Sequence, residues 1–380
     1  MTSRATGRTS NLMRQRPILI GSEIYRHSIY GAKHPLSIPR VSTALDLIRA
    51  MGWHDPERYV DGPVATPAQL ARFHDPAYVE AVRQAEASRH VSDEVRDRHN
   101  IGRNGNPVFA EIFSRPATAC GSTLKAVELL RAGGIVHSPA GGTHHGRPDR
   151  ASGFCYFNDP VLGILAFLDA GIAPVYYVDL DAHHGDGVED AFRGDGRVVT
   201  VSVHEAGRWP NTGGRGQRGG GNARNLPVPE GFNDSELAAI VERALVPLGR
   251  RLAPAAIVLQ CGADGLADDP QSRLALSNGA LWSAVARLVP LAPRALVLGG
   301  GGYNPWSVAR CWAGIWAVLD GRDPAQPLTP EAERVLRGLS WNHSRAKTAP
   351  ERWFTTLADP PNPGPVRAEV AEMIEEVMQP

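Results

Sequence analysis

The stretch Tyr176-Tyr177-Val178-Asp179-Leu180-Asp181-Ala182-His183-His184-Gly185-Asp186-Gly187 decides the fold. An apolar run from Pro174 to Val178 empties into three carboxylates and two imidazoles. β-Branched and aromatic residues bounded by Pro174 and Gly185 predict a strand that ends in a loop. In an open α/β sheet, ligands bind beyond the carboxyl ends of the strands. Ionisable groups this dense are costly to bury unless they hold a metal or pair with one another. The plainer alternative is a polar turn around a hydrogen-bonded histidine.

The pattern recurs. Residues 255–261 run into Gly262-Ala263-Asp264-Gly265, and 295–298 run into Gly299-Gly300-Gly301-Gly302-Tyr303. Residues 134–136 lead through His137 to Gly141-Gly142-Thr143-His144-His145-Gly146. Glycine lets backbones approach a shared centre closely. One site at one edge of a parallel sheet, fed by four loops, is the economical reading.

Strand and helix patterns alternate to about residue 320. Strands are expected at 17–21, 134–137 and 197–204. Helices are expected at 39–51, 107–131, 157–170, 234–251, 278–288 and 306–319, with helical stretches in 66–87 broken at Pro76. The fold class is therefore α/β: one three-layer αβα domain, residues 17–320, around a mostly parallel sheet. Residues 1–16 read as a disordered extension, and 321–380 as a Pro- and Arg-rich arm. That arm ends with Val370, Met373, Ile374 and Val377 on one helical face. Docking of this face on the core and on a second subunit of a homo-oligomer are both open. The glycine-rich loop 213–221 has no Gly-Lys-Ser/Thr and is not a phosphate loop. It reads as a loop at the site rim.

Composition narrows the function. The 380 residues carry a net charge of +0, which favours neither nucleic acid nor an anionic membrane as partner. No apolar run reaches membrane-spanning length. Cys120, Cys155, Cys261 and Cys311 form no Cys-x-x-Cys pair and no disulfide framework. The polar, Arg-containing N-terminus lacks a secretory pattern, so a cytoplasmic location is expected.

Asp181 and His183 lie two apart at an extended strand end, on one side, and can reach one ion. Asp264 is the best placed third ligand. Three protein ligands leave a position for water, as in catalytic zinc sites, while an oxygen-rich set also suits Fe²⁺. His144 and His145 are candidate general bases and acids, with Asp179 and Asp186 as carboxylates to orient them. Tyr303 on its glycine hinge can donate to an oxyanion. Taken singly, each has a plain structural alternative: a turn aspartate, loop histidines, a packed aromatic. Taken together they describe metal-assisted amide hydrolysis.

These motifs resemble the zinc-dependent histone deacetylase family of the arginase–deacetylase superfamily. The resemblance rests on Gly141-Gly142-Thr143-His144-His145, Gly153-Phe154-Cys155-Tyr156-Phe157-Asn158-Asp159, residues 179–189, Gln260-Cys261-Gly262-Ala263-Asp264 and 299–303, in the family's order. It spans residues 18–320. His34-Pro35-Leu36-Ser37-Ile38-Pro39-Arg40 and Gly300-Gly301-Gly302-Tyr303-Asn304-Pro305-Trp306 resemble the bacterial branch labelled acetoin utilization proteins.

The resemblance implies zinc on Asp181, His183 and Asp264, with His145–Asp186 as general base and acid and His144–Asp179 as its electrostatic partner. It implies Tyr303 on the substrate carbonyl, Phe154 and Trp209 sandwiching the acyl-lysine chain, Gly153 lining the tunnel and Arg40 behind the metal. A structural K⁺ would sit on Asp179, Asp181 and His183, with Ser202 and Val203. Two positions depart from the family. Gly105 stands where an Asp often grips the substrate backbone, and Gln271 stands where Leu or Met usually forms the tunnel rim. The implied substrate is acyl-lysine in proteins or a similar small N-acyl amine. Acetylpolyamine hydrolysis, dinuclear ureohydrolysis and non-catalytic acyl-lysine binding are the competing readings.

Overall fold

The computed structural model describes residues 16–31 and 33–379. The expected N-terminal extension, Arg16 apart, lies outside the described residues.

Eight strands form one sheet: β1 (Ile18–Gly21), β2 (Tyr59–Asp61), β3 (Gly134–Ser138), β4 (Val175–Asp179), β5 (Val198–Glu205), β6 (Ala223–Val228), β7 (Ala256–Gln260) and β8 (Arg294–Leu298). Their order is β2-β1-β3-β8-β7-β4-β5-β6, and every pairing is parallel. In β4, Tyr176 and Val178 face one apolar cluster, while Val175 and Tyr177 face another. β7 and β8 divide in the same way. Strands buried on both faces carry no polar side, which is why these segments read as unbroken apolar runs.

The covering helices are α1 (Val41–Ala50), α2 (Ser114–Leu129), α3 (Asp159–Asp169), α4 (Asn278–Leu288), α5 (Pro305–Leu319) and α6 (Ala368–Val377). Leu45 and Ile48 of α1, Leu281 and Val285 of α4, and Trp312 and Trp316 of α5 cover one face. Val127 of α2 with Val161, Ile164 and Phe167 of α3 cover the other. The three-layer expectation holds.

Some expectations shift. The 107–131 helix begins only at Ser114, because Glu86 of a separate helix accepts from the Phe113 and Ser114 amides and so caps the start from a distance. β2 and β6 are edge strands that the pattern misses. β2 is only three residues long, and β6 carries Pro227, which only an edge tolerates.

The terminal helix docks on the chain's own core. Val370, Met373, Ile374 and Val377 are buried there, against β6 and the helical run 234–252. Loop 213–221 turns towards this helix rather than to the site rim. Arg215 pairs with Glu376 at 2.7 Å, and Arg218 donates to the Glu376 carbonyl at 2.8 Å, where helix-end carbonyls attract cations. The arm is tied back by Arg310, fully buried on α5, which donates to the Thr356 carbonyl and to Asp359.

Candidate metal centre and acid–base site

β3, β8, β7 and β4 are the four central neighbours in the sheet, and the four predicted loops leave their carboxyl ends together. Asp179 closes β4, and the chain beyond it places Asp181 and His183 beside Asp264 from the β7 loop. Ligand atoms of Asp181, His183 and Asp264 lie within 4.8 Å of one another, all buried. His183 Nδ1 is 2.9 Å from Asp264 Oδ2 and 3.2 Å from Asp181 Oδ1. Gln260 Nε2 (2.8 Å) and the Gly301 amide (2.7 Å) donate to Asp181 Oδ2, and the Ala182 amide donates to Asp264 Oδ1 at 2.9 Å. These bonds orient the carboxylates from behind, as supporting groups around metal ligands do.

Burial opposes charge on His183, yet its bonds to Asp181 and Asp264 outweigh this and raise it to about 10. Two buried carboxylates thus draw a proton into the place a divalent cation would take. The donor set of one nitrogen and two carboxylates fits Zn²⁺ or Fe²⁺. Asp268, the next carboxylate along the chain, accepts from Arg352 and the Trp353 indole.

The His144 and His145 rings pack at a tilt of 50°, with centroids 3.9 Å apart. His144 Nδ1 meets Asp179 Oδ2 at 2.7 Å, and His145 Nδ1 meets Asp186 Oδ1 at 2.7 Å. Both Nε2 atoms are left for the site. Asp179 also accepts from the Tyr177 hydroxyl at 2.6 Å, and Asp186 is bound by Arg147. Burial opposes charge on both histidines. The Asp179 and Asp181 carboxylates overcome it at His144, which rises to about 9. At His145 the neighbouring His144 cation adds to the burial, and the value falls to about 3.

Several supporting residues escaped the sequence reading of roles. Asp159, buried at the start of α3, accepts from the Gly142 and Thr143 amides. Asn158 donates to the His144 and Gly146 carbonyls. Together they clamp the histidine loop. Their signal was an Asn-Asp-Pro N-terminus inside a quoted motif. Asp269 accepts from the amides of both Tyr303 and Gln271, and nothing local announced that.

A narrow cavity runs to the cluster, lined among others by Tyr30, Arg40, His145, Gly153, Phe154 and Tyr303. A Cβ at Gly153 would stand 2.4 Å from Trp209 and 2.6 Å from His145, so only glycine leaves this wall open. The exposed Trp209 sits edge-on to His145 at 4.6 Å. Arg40 is partly buried and donates to the Gly300 carbonyl at 2.7 Å. Gly105 has φ +79°, and a Cβ there would stand 2.4 Å from the Phe154 ring. Its carbonyl instead meets His34 Nε2 at 2.9 Å. Gln271 lines a second, wider cavity together with Trp209 and His183. Asp179 and Ser202 are register partners across β4 and β5, with Val203 next in line.

Comparison with known proteins agrees with this geometry. Residues 34–319 match the histone deacetylase domain model. The chain is 30% identical to the acetoin utilization protein AcuC of Bacillus subtilis over 370 residues, 93% of this chain and 94% of that protein. It is 36% identical to histone deacetylase 8 of Xenopus tropicalis over 291 residues, 74% of this chain and 78% of the relative. A crystal structure of a histone deacetylase homologue complexed with SAHA superposes with a TM-score of 0.91 at 35% identity, covering 96% of this chain and all of that one. A homologue from Aquifex aeolicus gives the same TM-score at 34% identity. With its parallel sheet, its site and its near full-length likeness to AcuC, the chain belongs to the histone deacetylase family.

Proposed function

We propose that the protein hydrolyses the amide of N-acyl-lysine in proteins, or of a similar N-acyl amine, releasing acetate or another short acid. One observation carries this: a three-ligand cation site, two oppositely tuned His–Asp pairs and Tyr303 meet at the end of one narrow cavity. The catalytic unit is residues 17–320, and the arm that begins at 321 packs on it as far as residue 379.

Asp181, His183 and Asp264 would hold Zn²⁺ or Fe²⁺, which supplies Lewis-acid polarisation of the amide carbonyl. His145 is neutral, with its Nδ1 proton on Asp186, so Nε2 accepts the proton of the attacking water. The same nitrogen returns that proton to the leaving amine. His144, charged and held by Asp179, offsets the negative charge that develops in the transition state. The Tyr303 hydroxyl is read as the donor to the oxyanion. Phe154, Gly153 and Trp209 grip the acyl-lysine stem, and Arg40 faces the released acid. K⁺ would be held by Asp179, Asp181, His183, Ser202 and Val203, behind the acid–base pair.

A matched panel tests the substrate class. It holds acetyl-, propionyl- and butyryl-lysine peptides with acetylputrescine and acetylspermidine, given to zinc-loaded enzyme. Turnover of the acetyl-lysine peptide at or above that of the polyamines supports the reading. Turnover confined to the polyamines overturns the acyl-lysine assignment.

A further inference from the structure

The second cavity, about 680 Å³, shares His183 with the narrow one. Trp209 belongs to both neighbourhoods, since it lines this wall and also packs against Gly153 and His145. Anything seated here therefore adjoins the mouth through which an acyl-lysine stem would pass.

The wall carries three guanidiniums, Arg208, Arg273 and Arg345, against two carboxylates, Glu205 and Glu230. Both carboxylates are already engaged. Glu205 is bound by Arg208 and by the Arg273 amide at 2.9 Å. Glu230 is bound by the Arg273 side chain at 3.0 Å. Arg345 is different. Its Nη1 donates to the Asp269 carbonyl at 2.9 Å, and no carboxylate of the described residues lies within ion-pair distance of it. That bond anchors the exposed guanidinium at the cavity wall, and its other N–H donors have no partner among the described residues. A planar, pre-positioned guanidinium is suited to a carboxylate. Gln271, on the same wall, adds an uncharged amide rather than a competing anion.

We propose that this cavity is a carboxylate subsite in which Arg345 binds an acidic group that the substrate carries beside its acyl-lysine. The inference rests on the deacylase reading and refines its substrate. The carboxylate comes either from an acidic side chain next to the acyl-lysine or from the α-carboxylate of acyl-lysine itself. A polyamine, cationic along its length, is the wrong charge for this wall.

The experiment compares kcat/KM of zinc-loaded protein on acetyl-lysine peptides flanked by Glu, Gln or Lys, and on Nε-acetyl-lysine against its α-amide. Exposed ion pairs are individually weak, so the expected preference for Glu over Gln is about two- to fivefold, falling in high salt. A preference for the Glu peptide identifies the side-chain source, and one for free acetyl-lysine over its amide identifies the α-carboxylate. Arg345→Gln should abolish the preference with the Gln peptide unchanged, and Arg345→Lys should keep part of it. Equal loss on every substrate in Arg345→Gln would assign Arg345 to holding the Asp269 loop and overturn the proposal. So would equal turnover of the Glu and Lys peptides by the native protein together with equal turnover of Nε-acetyl-lysine and its α-amide. Affinities of the same peptides, and of the free and α-amidated lysine, with a hydroxamate in place of the acetamide read the subsite without turnover. A charge preference in binding with no hydrolysis of any acetyl-lysine would sink the deacylase reading and leave the subsite standing. No preference in binding overturns the subsite.

Discussion

The tilted rings of His144 and His145 lie 3.9 Å apart, and their surroundings drive their proton affinities in opposite directions, to about 9 and about 3. Two neighbouring groups tuned apart divide the roles of base and charge stabiliser. His145→Ala is expected to lower kcat by about 100- to 10,000-fold, the worth of a positioned acid–base group, with bound metal retained. Steady-state kinetics beside metal analysis checks it. Retained activity in His145→Ala would move the base elsewhere.

Asp186 sets the orientation of His145 through Nδ1. Asp186→Asn keeps the volume and alters the proton preference of that bond. The expected result is a kcat loss with little change in KM and a displaced acid limb of the pH–rate profile. A uniform loss of folded protein without a profile change would make the contact structural only.

Asp269 links the rim to the reaction, since it accepts from the amides of Tyr303 and Gln271. Tyr303→Phe is expected to cost about 100- to 1,000-fold in kcat, the scale for removing one oxyanion donor. Asp269→Ala should lose part of that and also lower the melting temperature. Restoration of kcat by Asp269→Asn beyond that of Ala would separate positioning from bulk.

Gly153→Ala should close the cavity wall against Trp209 and His145 and raise KM sharply with zinc content unchanged. The double variant Gly153→Ala, Trp209→Ala should recover part of the loss. No rescue would mean that backbone strain at φ +54°, rather than the indole, sets the cost.

Much of this was legible because the chemistry sits immediately after apolar runs. Asp179 closes β4 and Asp181 and His183 follow it, Asp264 follows β7 and Tyr303 follows β8, so strand ends alone assembled the centre. What stayed hidden acts at a distance. Glu86 caps α2, Asn158 and Asp159 hold the histidine loop, and Arg345 reaches the rim from the arm. The misplaced loop 213–221 has the same origin, because its partner Glu376 lies more than a hundred residues away in sequence.

His74 and His137 are buried, and burial lowers each from 6.5 to about 4. Their unfolded forms therefore bind more protons between those values, so stability rises with pH across that window and is lost as pH falls through it. The loss by the bottom of the window is about 3 kcal/mol for each histidine. His74 accepts from the Asn158 amide at 3.0 Å, so protonation there also loosens the histidine loop. Urea melts across this range should show the decline, and His74→Gln should flatten part of it. A stability that is level between 6.5 and 4 would contradict the account.

The proposed mechanism needs one catalytic divalent ion on Asp181, His183 and Asp264. The most direct test is zinc titration of metal-stripped protein, with acetyl-lysine peptide hydrolysis followed in the same samples, beside Asp181→Ala. Activity should rise to a plateau at one catalytic ion per chain, and Asp181→Ala should neither bind that ion tightly nor turn over. Hydrolysis that is indifferent to stripping or to Asp181→Ala, or a plateau at two catalytic ions, would contradict the mechanism.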